Sequence, residues 1–182
     1  MMVRVIETLE SRYIPTLTAE HPLTGRARCS INIVRGGTQI NIIPEHCEIH
    51  VDRRVVPGED PQDVLPAVEE VLDGLRQEDQ RLAVSQSQPD MVDFPLAPTG
   101  TAWFSGFVRG VVDGMGLPAD PCGVGFGTDA SCFGRAGIPA IVLGPGDIAQ
   151  AHTHDEWVDL GQIRQGLDLY LNLMRSSLDG PA

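Results

Sequence analysis

The spacing of apolar residues changes character several times along the chain. Val3, Ile6 and Leu9 recur at helical spacing, so the chain opens within or just before a helix. A turn-rich stretch, "AEHPLTGRAR", follows. The segment "CSINIVRGGTQINIIPEHCEIHVDRRVV" then reads as antiparallel strands, with Gly36-Gly37 permitting a tight reversal. In the later strand Cys47, Ile49, Val51 and Arg53 alternate with Glu48, His50, Asp52 and Arg54, the pattern of a sheet covered on one side. Asp60 as N-cap and Pro61 at the first helical position open a helix. Its stripe is Val64, Leu65, Val68, Val71, Leu72 and Leu75. "RLAVSQS" fits a further strand. Helix, strand, strand, helix, strand is a βαββαβ sandwich lacking its first strand.

"SQPDMVDFPLAPTG" is polar and turn-rich, as a linker would be. Beyond it, Trp103, Phe104, Phe107, Val108 and Val111 mark a helix ending near Gly116, with Pro118 after it. A glycine-rich loop, "GVGFGTDAS", leads into a short helix. "IPAIVLG" is continuously apolar, the expectation for a strand covered on both faces. A last helix is capped by Asp159, with Gln162 at the capping-box position and a stripe of Leu160, Ile163, Leu167, Tyr170, Met174 and Leu178. The fold class is therefore α/β, an α+β first part followed by an α/β second part, divided as residues 1–90 and 91–182.

Composition narrows the field. The 182 residues carry a formal charge of −12, which argues against a nucleic-acid or anionic-membrane partner. Cys29, Cys47, Cys122 and Cys132 show no C-x-x-C spacing, which removes a zinc ribbon or thioredoxin motif and fits reduced thiols in a cytoplasmic protein. The first residues, "MMVRVIETLESR", have no apolar core of a signal peptide, and no apolar run reaches membrane-spanning length.

Some residues have two readings from chemistry alone. His152 and His154, with Asp155 and Glu156 behind them, are either an exposed polar loop or part of a metal site beyond a strand end. A zinc site needs at least three protein ligands, and these four are too close in sequence to converge on one ion. Gly125, Gly127 and Thr128 could present backbone N–H groups and a hydroxyl to an anion, or simply form a turn capped by Thr128 or Asp129. Arg54 is a surface ion-pair partner or a fork for a substrate carboxylate. Asn41, within "INIIP", is a turn-former or a specific contact.

"GGTQINIIPEHCEIHVDRRVVPGED", "GFGTDAS", "GIPAIVLGPG" and "AHTHDEWV", in that order, resemble the back half of the co-catalytic zinc deacylases and peptidases. That family includes acetylornithine deacetylase, succinyl-diaminopimelate desuccinylase, aminoacylase and carboxypeptidase G. The resemblance implies a βαββαβ lid, which supplies a homodimer contact, followed by the returning part of a catalytic domain that binds two zinc ions. By position, His152 matches a zinc ligand, Asn41 and Arg54 match lid residues that contact substrate, and Gly127 and Thr128 match a loop lining the pocket. The family's H-x-D motif, bridging Asp, Glu-Glu pair and lid histidine have no counterpart here, so no catalytic residue is assigned. The expectation is a fragment of a hydrolase removing an N-acyl group from an amino acid or cleaving a related peptide bond, inactive by itself. The alternative is a non-catalytic dimerisation module of the same descent.

Overall fold

The computed structural model describes residues 1–96, 102–151 and 153–176. The chain divides into two compact units, one formed by residues 1–95 with 123–127, the other by residues 96–122 with 128–182.

In the first unit, α1 (Met2–Thr8) runs on through a π-helical turn (Leu9–Tyr13) and a 3-10 turn (Ile14–Thr16). A short hairpin of β1 (Glu20–His21) and β2 (Gly25–Arg26) follows. Next come β3 (Arg28–Gly36) and β4 (Cys47–Arg54), an antiparallel pair in which Arg28 faces Arg54 and Gly36 faces Cys47. The helix α2 (Val64–Glu78) starts as its sequence predicts. Asp60 accepts a hydrogen bond from Gln62 N at 2.9 Å, and a 3-10 turn from Pro61 leads into the helix.

The core of this unit lies between α1 with its π-turn and α2. Val5, Leu9 and Tyr13 recur every fourth residue and pack with Leu72 and Leu75, all nearly inaccessible to water. The expected stripe of Val3, Ile6 and Leu9 is thus rotated, for Val3 is exposed. Arg4 pairs with Asp79 at 2.6 Å, and Arg12 pairs with Glu78 at 2.6 Å, pinning the two helices at one end. Hydrogen bonds from Arg81 hold the Asp79 carboxyl down to about 2. A carboxyl depressed in the folded state stabilises it above the ordinary carboxylate range, and that contribution is lost as pH falls towards 2.

Two strand expectations fail here. Gly36-Gly37 is not a tight reversal, because β3 ends at Gly36 and a loop over residues 37–46 intervenes before β4. Residues 81–87 are not a strand. Arg76 of α2 instead donates to the Val84 carbonyl, and Gln86 donates to the Leu65 carbonyl at 2.9 Å. Side-chain hydrogen bonds in both directions between α2 and the segment thereby hold it in place of a sheet ladder. The outer edges of β3 and β4 have no further strand among the described residues.

The second unit contains α3 (Ala102–Gly114), α4 (Ala130–Arg135) and α5 (Leu160–Arg175). Its core is Val108, Val112 and Leu169, joined by Phe104, Phe107, Ile141, Leu143 and Leu173. The apolar run from Ile138 to Gly144 forms no strand. Ile141 and Leu143 turn to the core, whereas Ile138 and Val142 are exposed, so the run is covered on one face rather than two. Asp159 caps α5 by accepting from Gln162 N at 3.0 Å. No capping box closes, for the Gln162 side chain accepts from Gly146 N at 2.7 Å instead. The expected stripe of α5 is helical but uncovered. Leu160, Leu167 and Met174 are 70%, 60% and 74% exposed, and the buried side is Gly166 and Leu169. Leu178 lies outside the described residues. No helix among the described residues is long and apolar enough to cross a membrane.

Candidate substrate-binding site

Arg54 ends β4, and its side chain lies exposed on the polar face of the hairpin. Its Nε donates to Asp52 Oδ2 at 2.7 Å, which holds the fork in one orientation. Its Nη1 donates to the Gly125 carbonyl at 3.4 Å. The glycine loop at 123–127 therefore sits against the end of β4, within the same unit.

That loop depends on close backbone approach. A Cβ at Gly123 would fall 2.1 Å from the Leu23 carbonyl oxygen, a backbone atom that cannot step aside, so only glycine fits there. At Gly127 the crowding atom is the Asp93 carboxylate, a mobile side-chain end.

Arg53, one residue before Arg54, points the other way. Its Nε donates to Tyr13 Oη at 3.3 Å, and its guanidinium donates to the Glu59 carboxylate and to the Arg54 carbonyl. Glu59 in turn accepts from Val56 N at 2.9 Å. This mostly buried ion pair grips the chain on both sides of the turn after Arg54. Burial pushes the Tyr13 hydroxyl up, and does the same to the Cys29 thiol. Sequence alternation places Arg53 with the apolar residues of β4, and the acid five residues after Arg54 was the available sign of its partner.

The remaining candidates are dispersed. Asn41 lies in an exposed turn of the 37–46 loop, beside the exposed Ile40, Ile42 and Ile43, and its side chain makes no hydrogen bond among the described residues. Thr128 belongs to the other unit and shapes the turn into α4. Its Oγ1 accepts from Ala130 N at 3.3 Å, and its carbonyl accepts from Ser131 Oγ at 3.0 Å. That is the capping alternative, formed here by Thr128 with no side-chain cap from Asp129. His152 lies outside the described residues. His154 is fully exposed, 3.3 Å from Asp155 Oδ1. No three His, Cys, Asp or Glu side chains converge as metal donors among the described residues, so these residues do not by themselves fit a zinc centre.

An open cleft adjoins Arg54. Arg26, Arg28, Ser30, Asp52 and Arg54 form its polar wall, and Ile14, Pro15, Leu17 and Ala27 its apolar one. One wall can take an anion and the other a short aliphatic group.

Comparison with known proteins bears on the family of the chain. Residues 1–80 match the model of the peptidase dimerisation domain. An N-acetyl-L-citrulline deacetylase of Xanthomonas campestris pv. campestris is 32% identical over 165 residues, covering 85% of this chain and 40% of that protein. An acetylornithine deacetylase of Photorhabdus laumondii is 29% identical over 164 residues, covering 89% of this chain and 39% of that protein. A Mycobacterium tuberculosis protein assigned as a succinyl-diaminopimelate desuccinylase is 32% identical over 137 residues, covering 75% of this chain and 35% of that protein. The chain thus spans about two fifths or less of the length of these relatives. Among solved structures, a tripeptidase from Staphylococcus aureus superposes with a TM-score of 0.56 at 19% identity, over 94% of this chain and 43% of that one, and shares its fold. Residues 1–80 belong to the peptidase dimerisation domain family, and the chain as a whole aligns with hydrolases of the deacetylase and desuccinylase kind.

Proposed function

We propose that this chain is the substrate-holding and pairing part of a zinc-dependent hydrolase that removes an N-acyl group from an amino acid or cleaves a related peptide bond. The observation that carries the reading is the meeting of Arg54 with the Gly125 carbonyl, 71 residues away in sequence. Arg54 and residues 123–127, part of the loop that the family resemblance assigns to substrate contact, belong to one unit, whereas Thr128 belongs to the other. In this reading Arg54, braced by Asp52, holds the substrate carboxylate, and the 123–127 loop borders it. Asn41 reaches substrate from an exposed loop, as a residue serving a partner subunit's site would. The family resemblance further assigns Gly127 and Thr128 to a substrate loop and His152 to one zinc ligand. No three metal donors converge among the described residues, and the reading assigns the remaining donors and the general base to a segment supplied from elsewhere. The uncovered stripe of α5 supports this, because an apolar face at heptad-like spacing is ordinarily packed against something.

The metal assignment predicts unequal roles for the two histidines. In a longer protein containing both this chain and the upstream donors, His152→Ala should lower zinc content and amide hydrolysis together, hydrolysis by at least about tenfold given the cost of losing a ligand. His154→Ala should leave both nearly unchanged. Metal analysis showing equal zinc loss in both variants would remove His152 from the assignment.

Pairing has its own support. The edges of β3 and β4 are unpaired among the described residues, and Ile40, Ile42 and Ile43 are exposed beside them. We expect a dimer or larger species at micromolar concentration by light scattering, whereas a monomer mass would contradict the pairing role. A second reading, a non-catalytic dimerisation module, draws on the same lack of converging metal donors. It differs in expecting no catalysis even when upstream donors are restored.

A further inference from the structure

The cleft beside Arg54 carries more positive charge than one carboxylate would require. Arg28 and Arg54 are direct partners across the β3–β4 ladder. Side chains of such a pair share a face, with their Cβ atoms about 5 Å apart, and like charges placed this way repel. The two arginines are treated differently by their surroundings. Arg54 is neutralised by Asp52 at 2.7 Å, whereas Arg28 has no hydrogen bond or ion pair among the described residues. Arg26 lines the same cleft, spends its Nε on the Leu17 carbonyl at 3.0 Å and pairs with no acid among the described residues. Asp52 is the only carboxylate in the lining among the described residues, in a chain whose overall charge is −12. A positive cleft on an acidic protein attracts small anions while the rest of the surface repels them. The apolar wall of Ile14, Pro15, Leu17 and Ala27 lies beside the charged one, so the ligand needs an aliphatic portion as well as charge.

We infer that Arg28 is a second anion-binding residue, and that the cleft selects N-acyl amino acids bearing a second carboxylate over those bearing one. The inference rests on the reading that Arg54 holds a substrate carboxylate. Arg54 would take the α-carboxylate, Arg28 the second one, and the apolar wall the methylenes between them. A planar guanidinium with no partner of its own is suited to bidentate capture of such a group.

The test is a titration of the full chain at low ionic strength with N-succinyl-L-alanine and with its terminal amide, N-succinamoyl-L-alanine. The two have the same length and differ in one charge. Inorganic phosphate serves as the probe of charge without an aliphatic chain. The wild type should bind the dicarboxylate about tenfold more tightly than the amide, and more tightly than phosphate. Arg28→Gln should bring the ratio of dicarboxylate to amide affinity close to one. Arg54→Gln should weaken both ligands. A ratio near one in the wild type, or a ratio unchanged in Arg28→Gln, overturns the inference while leaving the Arg54 reading intact. Phosphate binding as tightly as the dicarboxylate also overturns it, since the cleft would then be a simple anion patch. No effect of Arg54→Gln on either ligand instead sinks the underlying reading. The substituted side chain is exposed in both variants, so unchanged circular dichroism should accompany each result.

Discussion

Replacing Leu75 with alanine is expected to destabilise the first unit by about 3 kcal/mol, within the range for emptying a fully buried leucine site. Leu75 is 1% exposed and sits where α2 meets Val5, Leu9 and Tyr13. Small domains are held by only about 5–15 kcal/mol in all, so a loss of this size removes a large share of the margin. The matched control is Val3→Ala on α1. Val3 is 65% exposed, and its truncation should cost no more than about 0.5 kcal/mol. Urea unfolding followed by circular dichroism measures both. Comparable losses from the two variants would mean that α1 presents its Val3 side to α2, against the packing described.

That pair of substitutions also marks a limit of what periodicity can tell. Leu9 belongs both to the stripe expected from sequence and to the one observed, and apolar residues flank it in either phase. The choice between Val3–Ile6 and Val5–Tyr13 is made by the partner helix, which spacing alone does not contain. The start of α2 was legible because its signals are local: Asp60 caps a backbone N–H two residues on, and proline needs none. The β3–β4 pairing was legible for a similar reason, in its alternation, although the length of the loop between the strands was not.

Elsewhere the chain's apolar segments are only partly satisfied. The run Ile138–Gly144 has the composition of a strand buried on both faces, yet Ile138 and Val142 find no cover in their unit. The α5 stripe has the right period and the wrong surroundings. In both cases composition reports a packing partner that the described residues do not provide, which is the physical content of the proposal that a further segment completes this unit. At the candidate site, Arg54 and the glycine loop could be singled out from resemblance. Their contact could not, because it depends on Gly123 fitting against the Leu23 backbone. The Arg53–Glu59 clamp was hidden by its position on the face that alternation marks as apolar.

The second large effect is expected at Arg54. Arg54→Gln keeps a polar side chain of similar reach and removes the charge and the fork. Hydrogen bonds to a charged group contribute about 1.5–3 kcal/mol. Arg54 is 58% exposed, so the lower end applies, and N-acyl amino acids should bind about tenfold more weakly. The substitution should leave the fold intact, because the core of this unit lies between α1 and α2.

The most direct measurement is an NMR titration of the chain with N-acetyl-L-ornithine in the presence of Zn²⁺, since one series of spectra reports both binding and acetate release. The account predicts saturable shifts around Arg54 and the 123–127 loop, weakened about tenfold in Arg54→Gln by loss of the charged contact, with no acetate formed. Shifts indifferent to Arg54, or acetate released in a chelator-sensitive manner by the chain alone, would contradict it.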